Sequence, residues 1–148
     1  MNIKGYLISC ILEEKEIVEH LLYIDNSIGC TTLTYEDLLE TIRKIEPTFI
    51  NSNTKFVAIT DGYFESVFKI LISISSLDTI YIDRTFVALN KYLVSRVNYF
   101  YNEEVIKLDI TKDYFKYKDS KDKIIISGFD TFIEDMTDYF KDNQIIIV

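Results

Sequence analysis

The stretch from Lys55 to Tyr99 constrains the fold more than any other part of the chain. It reads KFVAIT, DGYFESVFKILISISSL, DTIYID and RTFVALNKYLVSRVNY, so two short β-branched runs each stop at an Asp and are each followed by apolar residues at helical spacing. Strand, turn and helix repeated in that order is the pattern of a parallel sheet covered by helices. Phe56 to Ile59 has no polar alternation, which predicts a strand buried on both faces. A crossover helix is expected over Tyr63 to Leu77, with Phe64, Val67, Phe68, Leu71 and Ile74 on its apolar side. A short strand over Ile80 to Ile82 and a helix presenting Phe86, Leu89, Leu93 and Val97 to the core follow.

The same alternation continues in smaller pieces. Val105 to Leu108 reads as a strand, Thr111 to Tyr117 as a single helical turn or aromatic loop, and Lys116 to Lys123 as an exposed connection. Ile124 to Ile126 is the next strand, Phe132 to Phe140 an amphipathic helix, and Ile145 to Val148 a final strand. That last run is expected between sheet neighbours or beneath helices, because an apolar run on an open edge invites pairing with another copy.

Upstream, Leu38, Leu39, Ile42 and Ile45 share one helical face. Thr34 and Asp37 form a start close to a capping box, and Pro47 limits the helix to about Lys44 to Glu46. Gly5 to Leu12 is dense in Ile, Leu and Tyr and reads as a first strand. Ile17, Leu21 and Ile24 keep helical spacing, yet Glu13 to Glu16 reads as a tight turn, so the expectation for 17–24 is a hairpin partner of that strand. Asp25, Asn26 and Ser27 then read as a turn. The expected fold is a single three-layer α/β domain with a mostly parallel sheet of five or six strands and an antiparallel edge at the N-terminal end. It is Rossmann-like in layout but lacks a dinucleotide glycine motif.

Composition fits that class. A chain of 148 residues, 48% of them apolar, can bury roughly two thirds of its unfolded surface without metal or disulfide. A net charge of −8, spread along the chain, repels phosphate backbones and anionic membranes, so neither nucleic acid nor a membrane is an expected partner. The apolar run from Tyr6 to Leu12 is far shorter than a membrane span. Cys10 and Cys30 have no CxxC partner and a single His, His20, accompanies them, which points to reduced thiols and a cytoplasmic location.

The feature most suggestive of a site is the recurrence of Asp at strand ends. Asp61 follows KFVAIT, Asp83 follows TIYI, Asp109 follows VIKL, and Ser127, Gly128 and Asp130 follow KIII. Parallel strands place these ends on one edge, where open α/β folds bind ligands beside helix N-termini. Converging carboxylates there suit Mg²⁺ and a phosphate-bearing ligand. Capping accounts for the same recurrence, since Asp is a preferred N-cap. Gly62 and Gly128 fall in these turns, but neither GxGxxG nor GxxxxGK[ST] is present. Arg84 stands at a helix start, a poor place for a cation, and so calls for a carboxylate or anion partner.

Two aromatic clusters complete the candidates: Tyr99, Phe100 and Tyr101, and Tyr114, Phe115 and Tyr117. Rings supply contact area with few rotatable bonds, which suits a binding face or homodimer contact. Absent motifs, acidic charge and abundant rings favour a small non-catalytic interaction or regulatory protein, with a protein partner or second copy and no cofactor. The alternative is a Mg²⁺-dependent phosphate- or nucleotide-binding domain or enzyme built on the strand-end aspartates.

Overall fold

A computed structural model describes residues 2–28, 33–48, 56–73, 77–82 and 87–148. In chain order the elements are α1 (Ile3–Glu13), α2 (Lys15–Ser27), α3 (Tyr35–Lys44), β1 (Phe56–Thr60), α4 (Phe64–Ser73), β2 (Leu77–Ile82) and α5 (Val87–Tyr101). Then come β3 (Lys107–Asp109), a 3-10 turn (Asp113–Tyr117), β4 (Lys123–Ser127), α6 (Asp130–Tyr139) and β5 (Ile145–Ile147). All five strands are parallel, in the order β3-β2-β1-β4-β5. The chain therefore leaves β1 toward one edge of the sheet, returns to β4 on the other side of β1, and finishes at the opposite edge. This is the doubly wound, Rossmann-like α/β arrangement, with its switch point between β1 and β4.

Alternation along each strand divides the core between the two faces. Phe56, Ala58, Ile80, Ile82 and Ile125 point to one face and meet α4, α5 and the N-terminal helices. Val57, Ile59, Tyr81, Ile124 and Ile126 point to the other and meet Tyr114 and Phe140, with Phe132, Ile133 and Met136 of α6 packed alongside. Every residue of β1 is buried, as a strand covered on both faces requires.

The N-terminal segment departs from expectation. Residues 5–12 are not a strand and 17–24 are not its hairpin partner; both lie in helices, so among the described residues the sheet has no antiparallel edge. The Asn2 side chain accepts from the Gly5 N–H at 2.7 Å and starts α1. Ile3, Tyr6, Leu7, Cys10 and Ile11 then follow the i, i+3, i+4, i+7, i+8 pattern of one helical face, and Leu7 and Ile11 are fully buried. Asp25, Asn26 and Ser27, expected as a turn, are the last turn of α2.

Elsewhere the departures are small. Thr34 Oγ1 accepts from the Asp37 N–H at 3.1 Å, and α3 ends at Lys44, before Pro47. The crossover helix α4 stops at Ser73, and Leu77, expected to end it, belongs instead to β2. Among the described residues β5 pairs with β4 alone and so lies at a sheet edge, not between neighbours, while Ile145, Ile146 and Val148 pack against the buried cores. Among the described residues, no helix is long and apolar enough to cross a membrane.

Candidate functional site

The C-terminal ends of the parallel strands share one edge, and the register pairs Thr60 with Ser127 at the switch point. Asp61, the next residue after β1, is 3% exposed. One of its carboxylate oxygens accepts from the Phe129 N–H at 2.8 Å and the other from the Tyr63 N–H at 3.2 Å. The side chain thus ties the β1–α4 connection to the β4–α6 connection. Phe129 is the residue that caps α6 and carries no side-chain cap of its own, so Asp61 supplies an acceptor at that helix start.

Both glycines follow from this closure. A Cβ on Gly128 would lie 2.9 Å from Asp61 Oδ2 and 2.7 Å from Phe132 Cδ1, closer than carbon tolerates. Gly62 has φ 91°, a backbone region that side chains disfavour. Its N–H donates to Thr60 Oγ1 at 3.2 Å, and its carbonyl accepts from buried Asn90 Nδ2 at 2.8 Å. Tyr63 and Phe129 place their rings edge to face, 4.9 Å apart, the two residues whose N–H groups Asp61 holds.

Of the remaining strand-end candidates, Asp109 and Asp130 make no bond to the Asp61 loop among the described residues. Asp109 accepts from both the N–H and the hydroxyl of Thr111, at 2.8 and 2.6 Å, which closes its own turn. Asp130 is exposed in the first turn of α6, where its charge suits the helix dipole. Asp83 and Arg84 lie outside the described residues. Among the described residues, no group of three or more His, Cys, Asp or Glu side chains is placed to hold a metal ion.

Sequence reasoning missed Asp25. From α2 its carboxylate reaches the start of α5 and accepts from the Ala88 and Leu89 N–H groups at 3.1 and 3.0 Å. Anionic ligands bind at this kind of helix N-terminus in many α/β folds; here the chain's own carboxylate occupies it. Asn26 clamps Leu33 from both sides, donating to its carbonyl at 3.0 Å and accepting from its N–H at 3.3 Å. The space left between Leu22, Asp25, Gly62, Tyr63 and Asn90 is about 40 Å³. That is room for a few water molecules at most. No local signal could reveal Asp25, because its partners lie 63 and 64 positions along the chain.

The aromatic candidates divide between the two sides of the sheet. Tyr99 is exposed on α5, while Phe100 and Tyr101 are half-buried; Phe100 packs on the Tyr6 ring of α1 at 4.9 Å. Tyr114 is 1% exposed and belongs to the opposite core. Phe115 packs on Tyr139, and the hydroxyls of Tyr117 and Tyr81 meet at 3.1 Å. The two clusters do not form one face.

A further polar cluster joins the α1–α2 junction to α5. The Tyr92 hydroxyl donates to Glu14 at 2.7 Å, and the Arg96 guanidinium lies 3.7 Å from the same oxygen and over the Tyr92 and Tyr99 rings. Burial, then the bond to Glu14, pushes the Tyr92 phenol well above its ordinary range, and burial followed by the bond to Tyr117 does the same to Tyr81. Tyr6 is pushed up to about 12, by burial first and then by its bond to Cys10. Such phenols stay protonated near neutral pH and act as hydrogen-bonding struts. Cys10 is buried on α1 and His20 exposed on α2.

No protein-family model matches the chain, and no curated protein or solved structure matches it significantly.

Proposed function

We propose that this chain is a small non-catalytic interaction protein of the α/β class, which docks a protein through the outer surface of its N-terminal helices. One observation carries the reading. Among the described residues, half of the large apolar side chains that stand exposed, Leu12, Ile17, Tyr23, Ile24 and Ile28, fall between positions 12 and 28. Of these, Ile17, Ile24 and Ile28 line one open groove with Leu21, and covering such apolar surface gains about 25 cal/mol for each Å² removed from water. The engagement of Asp61 and Asp109 by their own loops supports the same reading, because it leaves fewer lone pairs for a ligand.

A Mg²⁺-dependent phosphate- or nucleotide-binding domain is the second reading, and one observation favours it. The Ser127 hydroxyl, at the switch point, is 1% exposed and has no hydrogen-bond partner among the described residues. Calorimetric titration of the folded protein with Mg²⁺, alone and with a nucleoside triphosphate, decides between them. The interaction reading expects no saturable heat; saturable binding that disappears in a folded Asp61→Asn variant overturns it.

A further inference from the structure

Helix α2 carries two apolar stripes. The inner one, Val18 and Leu22, is buried, and Asp25 continues it to the start of α5. The outer one is Ile17, Leu21, Ile24 and Ile28, at spacings of four, three and four residues. That is the seam spacing of a coiled coil, in which each apolar side chain inserts between residues of a facing helix. Ile28 extends the seam because its backbone is still helical, at φ −77° and ψ −7°. Yet Ile17 is 51%, Ile24 36% and Ile28 49% exposed. With Ala88, Lys91 and Tyr92 of α5, the seam lines an open groove of about 540 Å³.

Charge on the rims says what fits this groove. Asp25 and Glu14 bond to α5, which fixes the side of α2 that faces it. At about 100° per residue, Glu16 and His20 flank the seam on the opposite side. The exposed Lys91 flanks it on the α5 side. One rim therefore presents the Glu16 carboxylate and the other the Lys91 ammonium; Asp25, which also lines the groove on the α5 side, is already held by the Ala88 and Leu89 N–H groups. A two-fold axis parallel to α2 sets the Lys91 rim of one copy against the Glu16 rim of the other, and does so twice. An antiparallel pair would set like rims together, and a uniformly basic or acidic helix from elsewhere would be repelled by one rim.

We infer that the outer seam of α2 is a contact between two copies of this chain, the α2 helices lying side by side and parallel about a two-fold axis. This rests on the interaction reading and names its partner as a second copy. Four apolar side chains per copy leave water, and Lys91 of each copy meets Glu16 of the other at the rim. A parallel seam is isologous, so the same side chains face their own counterparts along it.

Sedimentation equilibrium tests the inference on the full chain, whose monomer mass is 17.4 kDa. The expected result is twice that mass for the unmodified protein and a folded monomer for Ile17→Lys/Ile24→Lys, with circular dichroism confirming the fold. Lys91→Glu, a surface change, should weaken dimerisation by about two- to thirtyfold, the effect of two exposed ion pairs; Lys91→Glu combined with Glu16→Lys should restore it. A monomer at every concentration overturns the self-pairing while leaving the interaction reading to the calorimetric titration. A dimer indifferent to Ile17→Lys/Ile24→Lys overturns the assignment to α2. Loss on Lys91→Glu without rescue by Glu16→Lys overturns the parallel arrangement, and that pair of variants decides even if the double lysine variant does not fold.

Discussion

The Asp61 carboxylate and the Phe129 N–H lie 2.8 Å apart across the gap between β1 and β4, at the place where doubly wound sheets ordinarily open to receive a ligand. The second carboxylate oxygen is held by the Tyr63 N–H, so one side chain braces both loops of the switch point. Gly128 is the residue that makes room for it.

That fit predicts the behaviour of Gly128→Ala. A methyl group placed 2.9 Å from Asp61 Oδ2 and 2.7 Å from Phe132 must displace one of them. The expected cost is about 1–3 kcal/mol, read as a lower denaturation midpoint. In an Asp61→Ala background the added cost of Gly128→Ala should shrink, and simple additivity of the two substitutions would contradict the contact.

Asp25 makes a similar brace between α2 and α5. Asp25→Ala leaves the Ala88 and Leu89 N–H groups without their carboxylate. Unfolding should become easier by about 1–2 kcal/mol, the range of a lost helix cap. Hydrogen exchange should accelerate at the Ala88 and Leu89 amides more than elsewhere along α5; uniform change along the helix would argue against a local cap.

Alkaline pH should destabilise the fold through its phenols. Tyr6, Tyr81 and Tyr92 have folded pKa values raised above the ordinary 10, that of Tyr6 to about 12, with burial the first cause in each. Above pH 10 the unfolded chain releases these protons while the folded chain keeps them. The stabilisation is therefore complete below pH 10 and is lost progressively as pH rises toward and beyond 12. Tyrosinate absorbance followed with circular dichroism checks this: part of the tyrosine should ionise only as the fold is lost. Full ionisation by pH 11 with the fold intact would contradict it.

The parallel sheet was legible because β-branched runs ending at Asp, each followed by helical spacing, repeat along the chain. The N-terminal helices were not. A short run such as YLISCIL satisfies a buried strand and a buried helix alike, and the deciding pattern, from Ile3 to Ile11, begins before the run itself. Thr34 announced α3 because its cap is three residues away. Asp25 announced nothing, because α3, β1, α4 and β2 separate it in the chain from the α5 N–H groups it bonds. Asp61 was visible as a residue but not as a brace, since Phe129 lies 68 positions away. A strand-end Asp reads the same whether it waits for a ligand or holds a loop.

The most direct test of the account is the melting temperature of the unmodified protein and of Asp61→Asn, each measured with and without Mg²⁺. If Asp61 is a brace in a protein that works through its surface, the unmodified protein melts at the same temperature in both solutions. Asp61→Asn then melts lower by the same margin in each, because the amide keeps a single, weaker acceptor oxygen for one of the Tyr63 and Phe129 N–H groups and sets a donor NH2 against the other. A rise in melting temperature with Mg²⁺ that is present in the unmodified protein and absent in Asp61→Asn would contradict the account and return the switch point to ligand binding.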